Sequence, residues 1–537
     1  MGLDRWRRVA ALGDGAAVLC AALLTVRCFL KEHARFSPGE RPSLELLRAG
    51  HQPYPGNTLW WSWWDQGRYG KAAIAWAHGW TSPDWHWYLP GYPLMGAPFV
   101  GVTPADPFLI PDLACLLAVL GICVGLGRRL LDAGRWSVPL GCAAFVLAVD
   151  LWTPEMRDWV IPWTTTPEAV GFLGAVLAVA GLPGAGRRVR LRAALAGVGV
   201  GVVAGCRPAD GAVILLAVCG GVLLLLPRRR WLGTAVAVAL GAAGPLALVG
   251  VAYWLVWGFQ PSLYLVISKG IGFEPRQLLL RWVTLVIDPG VVYPRGRGIA
   301  EGFPWLAPGL AGMASAIVMP GRAGRRVHLL VAGAAMADLL LFVCYRDLHP
   351  DGPWFYNLHH YFKTALIVSA LYAARFAVLA LRAARGTASR RQQGAALAGI
   401  MAVLLLVPWH VELVPWQRLS WGDGNSVVLP DGLQPIESVV MVPGNAMGAW
   451  PPSEEGHGEV ENGRDEHVGV DLSLPNPGNT LAELPVLPLR RLPKQRTVIR
   501  FTSPVVLDRS REPVLYKQAI RWGMPDGWWC RMGPPRY

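Results

Sequence analysis

Charge is scarce in this sequence. Asp, Glu, Lys and Arg together make up 16% of its 537 residues, against about 25% in soluble domains. The shortage is also uneven. Apolar runs of about 17–22 residues carry almost no charge, and that length is enough to cross a hydrocarbon core of about 30 Å. Mean hydropathy is +0.34. An ordinary soluble fold is excluded, and a helical membrane domain followed by a polar tail takes its place. Paired cysteines are missing too. Of nine Cys, Cys20, Cys28, Cys115, Cys123, Cys142, Cys206, Cys219 and Cys344 lie in or beside apolar runs, and only Cys530 lies in the polar tail. With no CxxC, neither a zinc site nor a disulfide framework is indicated, and the thiols read as small packing residues. No solenoid repeat is present. No small-residue cleavage site precedes Lys31, so the apolar stretch from Ala10 to Leu30 reads as a retained span rather than a signal peptide.

What charge there is has a sign and a place. The net charge is +14, and the Arg clusters fall in short loops between apolar runs. That pattern orients a membrane protein and needs no nucleic acid to explain it. About eleven spans are expected, near 10–30, 108–126, 137–152, 168–184, 190–206, 210–226, 232–257, 305–320, 327–345, 362–382 and 394–410. Arg5, Arg7 and Arg8 precede the first. Basic clusters around Arg128, Arg187, Arg228, Arg325 and Arg385 then occupy every second connection. The positive-inside rule puts the N-terminus inside and the C-terminus outside. All the long connections then share the outer side: 31–107, 153–167, 258–304, 346–361 and the tail. The expected fold class is an all-α polytopic membrane domain over 1–410 with a small β-rich extracytoplasmic domain over 411–537. Alternating runs such as Ser426-Val427-Val428-Leu429 and Thr497-Val498-Ile499-Arg500-Phe501 support strands in the tail. Loops on one side of a helical scaffold are where a site would be built.

The first outer loop, 31–107, is the most unusual segment. It contains Trp60-Trp61-Ser62-Trp63-Trp64-Asp65-Gln66-Gly67-Arg68-Tyr69 and, further on, His86-Trp87-Tyr88-Leu89-Pro90-Gly91-Tyr92-Pro93-Leu94. Trp and Tyr settle at the membrane interface, so an aromatic belt accounts for the rings taken singly. Asp65 asks for more. A carboxylate amid these rings is costly unless it is paired or used. Arg68, one turn on, would pair with it; the other reading is a general base.

These residues resemble the GT-C superfamily, membrane glycosyltransferases that use lipid-phosphate sugar donors and include protein O-mannosyltransferases and the aminoarabinose lipid A transferase. The resemblance rests on Asp65, Gly67, Tyr69, the helix Lys71 to Ala77 and Tyr92-Pro93-Leu94. Gly205-Cys206-Arg207-Pro208-Ala209-Asp210-Gly211 is similar to an Arg-Pro turn of that superfamily. Thr164-Thr165-Thr166-Pro167-Glu168 and Asn357-Leu358-His359-His360-Tyr361-Phe362 occupy places where its members carry related motifs. Gln66 departs from the pattern, since many members have a second acid there. The resemblance implies that Asp65 activates the acceptor and that the donor is a polyprenyl-phosphate sugar. The acceptor would be a glycan, lipid or protein at the outer face of a bacterial plasma membrane.

Such a transfer needs fixed positive charge for the departing phosphate. Arg207 is the first candidate as a bidentate clamp, with snorkelling to the interface as its bland alternative. Arg68, Tyr69, Tyr92, Arg295, Arg297, His359, His360 and Lys363 are the other candidates for donor phosphate or sugar. Lys269, Arg276, Arg281 and Arg346 are further cations on the expected outer side. Glu155, Asp158 and Glu168 are candidate assisting acids. His359 and His360, with Asp347, His349 and Asp351, offer enough N and O ligands for a divalent ion, the one cofactor these residues admit. Asp338 lies inside a span and is either functional or paired with a neighbouring helix. Two other functions fit the same layout: a transporter or flippase of a lipid-linked saccharide, and a non-catalytic membrane subunit of envelope polysaccharide assembly.

Overall fold

The structure is a computed structural model of the chain. It describes residues 3–50, 54–149, 156–273, 275–287, 298–318, 322–345, 348, 358–406, 409–422, 426–429, 438–446, 456–462, 467–472, 483–486, 497–501, 505–507 and 512–522. Glu155, Arg295, Arg297, Arg346, Asp347, His349, Asp351 and Cys530 fall outside these residues.

Up to residue 406 the elements are helical. In chain order they are α1 (Leu3–Phe36), α2 (Leu44–Ala49), α3 (Trp64–Ala77), α4 (Gly91–Gly96), α5 (Leu109–Leu130), α6 (Ser137–Val149), α7 (Arg157–Val160), α8 (Thr165–Ala180), α9 (Val189–Cys206), α10 (Pro208–Leu225), α11 (Trp231–Trp257), α12 (Leu263–Ile271), α13 (Leu278–Arg281), α14 (Ile299–Gly302), α15 (Leu306–Val318), α16 (Arg322–Val343), α17 (Lys363–Ala384) and α18 (Arg390–Leu406). A helix lies over each of the eleven segments expected to be spans. Seven helices among the described residues are long and apolar enough to cross a bilayer, which makes the chain an integral membrane protein. The helices at 134–149, 165–180 and 306–318 are apolar but shorter. The last expected span, 394–410, stops at Leu406, and a strand begins at Trp409.

Two compact units divide the chain. The first comprises Met1–Gly272, Phe303–Phe342 and His359–Leu405; the second comprises Phe273–Gly302, Val343–Leu358 and Leu406–Tyr537. In the first, helices approach one another where side chains are small, as expected where lipid supplies no hydrophobic drive between helices. A Cβ on Gly197 of α9 would sit 2.0 Å from the Val238 carbonyl oxygen of α11, and one on Gly241 of α11 would sit 2.0 Å from the Ala194 carbonyl oxygen of α9. Gly171 of α8 and Gly199 of α9 are matched in the same way. Gly309 and Gly312 of α15 face the backbone of Ser369 and Tyr372 on α17. Pro245 lies inside α11, which membrane helices tolerate because neighbours re-satisfy the freed carbonyl.

In the second unit, the buried Arg281 side chain donates to the carbonyl oxygens of Val343, Tyr345 and Leu348. From Trp409 onward the described elements are strands, in two antiparallel sheets. One runs in the order β1 (Trp409–Arg418), β10 (Val514–Trp522), β4 (Ser438–Ala446), β7 (Glu483–Val486), with β9 (Val505–Leu507) also on β4. The other runs β2 (Ser420–Trp421), β3 (Ser426–Leu429), β8 (Thr497–Phe501), β5 (Gly456–Asn462), β6 (His467–Leu472). The register of β1 on β10 shifts between Pro415 and Gln417, where proline has no N–H for the ladder.

The glycine contacts predict an asymmetry within one helix. Gly241→Ala forces a methyl group into the α9 backbone and is expected to cost about 1–3 kcal/mol as overpacking. Gly244→Ala meets nothing within 4 Å and should keep stability or raise it by up to about 1 kcal/mol, since alanine loses less backbone entropy than glycine. Thermal unfolding of both variants in detergent checks this.

Candidate functional site

Asp65 opens α3. It lies in the first helical turn, where a carboxylate is favoured by the helix dipole. Two close approaches fix the surroundings. Gly70 admits the Trp61 ring where a Cβ would lie 2.3 Å from it, and Trp61 Nε1 donates to the Ala105 carbonyl oxygen at 2.8 Å. Gly91 of α4 lies against the Gly205 carbonyl, where a Cβ would be 2.5 Å away. The second approach carries the 37–108 connection onto the end of α9, beside Arg207.

The Tyr88 hydroxyl donates to Asp65 Oδ1. Burial and then the Asp65 charge hold the Tyr88 phenol well above its ordinary range, so it keeps its proton and remains a donor. Arg68 meets the aromatic rings directly. Its guanidinium lies 3.6 Å from the Trp64 centroid and 3.7 Å from that of Trp87, a cation in the corner of two indoles set edge to face at 81°. Its Nη1 is buried with no hydrogen-bond partner among the described residues. Burial lowers the Arg68 pKa, opposed by Tyr88 and Asp65. Tyr69 is buried with its ring 4.6 Å from Tyr88 and 5.4 Å from Tyr92. Burial foremost, then Asp65, raises the Tyr69 phenol, while Arg207 acts to lower it. Tyr69 is therefore within electrostatic reach of both. Tyr92 turns away from Asp65 and donates to Asp112 at 2.9 Å.

Arg207 caps α10, which begins with Pro208 at its first position. Its Nε donates to Asp210 within that turn, and Nη1 reaches Thr164 Oγ1 at 3.2 Å. The guanidinium also lies 4.6 Å from the Tyr361 ring and 5.2 Å from that of Phe342. Its charge is thus matched by a carboxylate one turn away. Arg68, by contrast, is met by aromatic rings, with Tyr88 and Asp65 acting on it electrostatically.

The 156–166 segment meets the start of α17. His360 stacks on Trp163 at 3.7 Å and on Tyr361 at 4.3 Å, with Nδ1 3.1 Å from Thr165 Oγ1. His359 Nε2 lies 2.7 Å from Asp158 Oδ2. Lys363 donates to the Asp158 carbonyl oxygen at 2.7 Å and to Thr166 at 2.9 Å, beside the Trp159 ring. Glu168 accepts from Thr364 at 3.2 Å. A small cavity lies among Asp158, Trp159, Phe303, His359, Lys363 and Leu366. Gln66 takes no acidic role; its amide donates to the Pro162 carbonyl oxygen at 3.3 Å, tying α3 to the same segment.

The structure thus brings Asp65, Arg68, Tyr69 and Tyr88 together, with Arg207, Tyr361 and His360 adjoining. Asp158, His359 and Lys363 form a neighbouring group. Of the sequence candidates, Glu155, Arg295 and Arg297 lie outside the described residues. Among the described residues, no three of His, Cys, Asp and Glu gather where they could hold a metal ion. Sequence reasoning passed over Tyr88, Tyr264 and the partnership of Arg207 with Asp210. The i,i+3 spacing of Arg207 and Asp210 across a Pro was a signal for the last of these; Tyr88 and Tyr264 carried none.

No protein-family model matches the chain, and no curated protein matches it.

The Arg207–Asp210 pair makes a stability prediction. Asp210→Leu strands a buried guanidinium and is expected to cost about 3–5 kcal/mol, whereas replacing both groups with apolar residues costs less. The double variant Arg207→Met/Asp210→Leu should therefore melt above the single variant Asp210→Leu in detergent.

Proposed function

We propose that this chain is a membrane glycosyltransferase. It would move a sugar from a polyprenyl-phosphate donor to a glycan, lipid or protein acceptor on the extracytoplasmic face of a bacterial plasma membrane. The observation that carries this reading is a carboxylate, Asp65, held by the Tyr88 hydroxyl, with Arg68 one turn along α3 and Arg207 acting on the neighbouring Tyr69. The resemblance of the first long connection to GT-C enzymes supports the same reaction. The proposal includes eleven spans with the N-terminus inside, and a C-terminal β-rich domain on the outer side.

In the proposed step the acceptor hydroxyl gives its proton to Asp65 as its oxygen bonds to the anomeric carbon. The bond from that carbon to the phosphate oxygen breaks, and the electron pair leaves with the phosphate. Asp65 supplies general-base catalysis. The leaving charge falls to Arg68, whose buried Nη1 has no hydrogen-bond partner among the described residues. Arg207, already balanced by Asp210, contributes a hydrogen-bonded wall rather than net charge. Tyr88 fixes the direction of the carboxylate by donating to Oδ1.

Asp65→Asn is expected to lower transfer by about 10²–10⁴-fold, the usual worth of a general base, measured in membranes with a panel of radiolabelled polyprenyl-phosphate sugars. Full activity in the variant, or no transfer from any donor by the wild-type chain, would overturn the reading. One observation favours a transporter instead: Asp338 on α16 is 1% exposed, and neither of its oxygens has a hydrogen-bond partner among the described residues. Acids at membrane depth often serve ion-coupled movement. Asp338→Asn should leave sugar transfer unchanged in the enzyme; export of a lipid-linked saccharide by the wild type, lost in this variant, would select the transporter.

A further inference from the structure

Helix α12 is inside out for a helix in water. Leu263, Val266 and Ile267 are 55%, 52% and 44% exposed, and the one exposed cation among its described residues, Lys269, lies in the last turn, where a long stem lets an ammonium snorkel to the interface. At 100° per residue these three share one face, and Tyr264, Leu265 and Ser268 share the opposite one. The inward face is half-buried, and the Tyr264 ring lies 4.8 Å from Tyr88, the phenol bonded to Asp65. A surface helix beside water turns its apolar stripe inward; this one turns a phenol and a hydroxyl inward and aliphatic chains outward.

The apolar face does not end at α12. It continues from α11, where Leu248, Val251 and Trp254 are 62%, 57% and 54% exposed along a membrane-crossing helix, through Phe259 at 97%. The connection between the two helices is ordered. The Tyr253 hydroxyl donates to the Gln260 carbonyl oxygen at 2.8 Å and accepts from the Ser262 N–H at 2.7 Å, and the Ser262 side chain caps α12 by accepting from Leu265 N–H at 3.3 Å. Gly258 and Gly272 bracket α12 at φ 61° and 64°, left-handed positions that glycine adopts without strain. At about 1.5 Å per residue the nine residues of α12 cannot cross a core of about 30 Å.

We infer that α12 is a half-helix embedded in the bilayer leaflet at that end of α11, with lipid acyl chains as the partner of its outer face. Its inner face, through Tyr264, forms the lipid-side wall of the Asp65–Tyr88 site. The segment 258–272 is then not a solvent loop. A substrate carried by a lipid would meet the site past α12 without leaving the membrane. The placement of α12 stands on its own faces and holds whether or not the chain transfers a sugar.

Photo-crosslinking in the full chain in native membranes tests this. Val266→p-benzoylphenylalanine should form phospholipid adducts on irradiation, seen by mass spectrometry of the α12 peptide. Tyr264→p-benzoylphenylalanine, close in shape to the native ring, should form adducts within the chain to the 59–92 segment and none to lipid. Absence of lipid adducts at 266 with water-quenched probe only, or a dimer adduct showing that a second copy covers the face, would overturn the inference. So would lipid adducts at both positions, since α12 would then have no protein-facing side.

Discussion

A polar side chain among helices surrounded by lipid has no water to fall back on. Such groups in the first unit are met chiefly by one another, Asp338 being an exception, and many of the partners lie on other segments. Arg207 answers Asp210 within its own turn and then reaches Thr164. Lys363 reaches back to the Asp158 carbonyl and Thr166, and His359 meets the Asp158 carboxylate. Tyr92 answers Asp112. These bonds draw the connection before α5, the segment before α8, the α9–α10 turn and the start of α17 to one end of the bundle. The site follows from that requirement: polar groups gather where helices end because they can satisfy one another there.

Glycine sets how closely this can happen. Gly197 and Gly241 let α9 and α11 touch backbone to backbone, and Gly91 lets α4 settle on the end of α9. Without the last contact the Tyr88–Asp65 pair would stand off from Arg207. Glycine in these helices costs conformational entropy, and the gain is a scaffold whose ends hold their positions while the loops above them carry the chemistry.

The helical scaffold was legible because its signal is additive. Twenty apolar residues in a row leave few alternatives, and Arg in every second connection adds a direction. Span boundaries were less legible: 168–184 was read as a span, whereas α8 covers Thr165–Ala180. At the site, the sequence reached Asp65, Arg68 and Tyr69 because an acid among tryptophans is conspicuous. It did not reach Tyr88 or Tyr264, since a tyrosine in an aromatic-rich loop looks like any other until its hydroxyl is seen to face a carboxylate. It also ranked Arg207 above Arg68. Charge alone does not say whether a cation is already neutralised, and only the approach of Asp210 decides that.

That distinction bears on what each arginine can do. A guanidinium paired with a carboxylate holds its neighbours in register, but an incoming phosphate must compete with the acid for its N–H groups. A guanidinium set against aromatic rings has N–H groups that no carboxylate occupies, although two indoles at 81° to each other cannot both lie flat against it. Trp64 and Trp87 therefore do more for Arg68 than anchor a loop at an interface. They supply the attraction that an acidic partner would supply elsewhere, and they do so without cancelling the charge. The tryptophan cluster and the buried ion pair are two solutions to the same problem of keeping a cation out of water, and they differ in whether a carboxylate already occupies the cation's N–H groups.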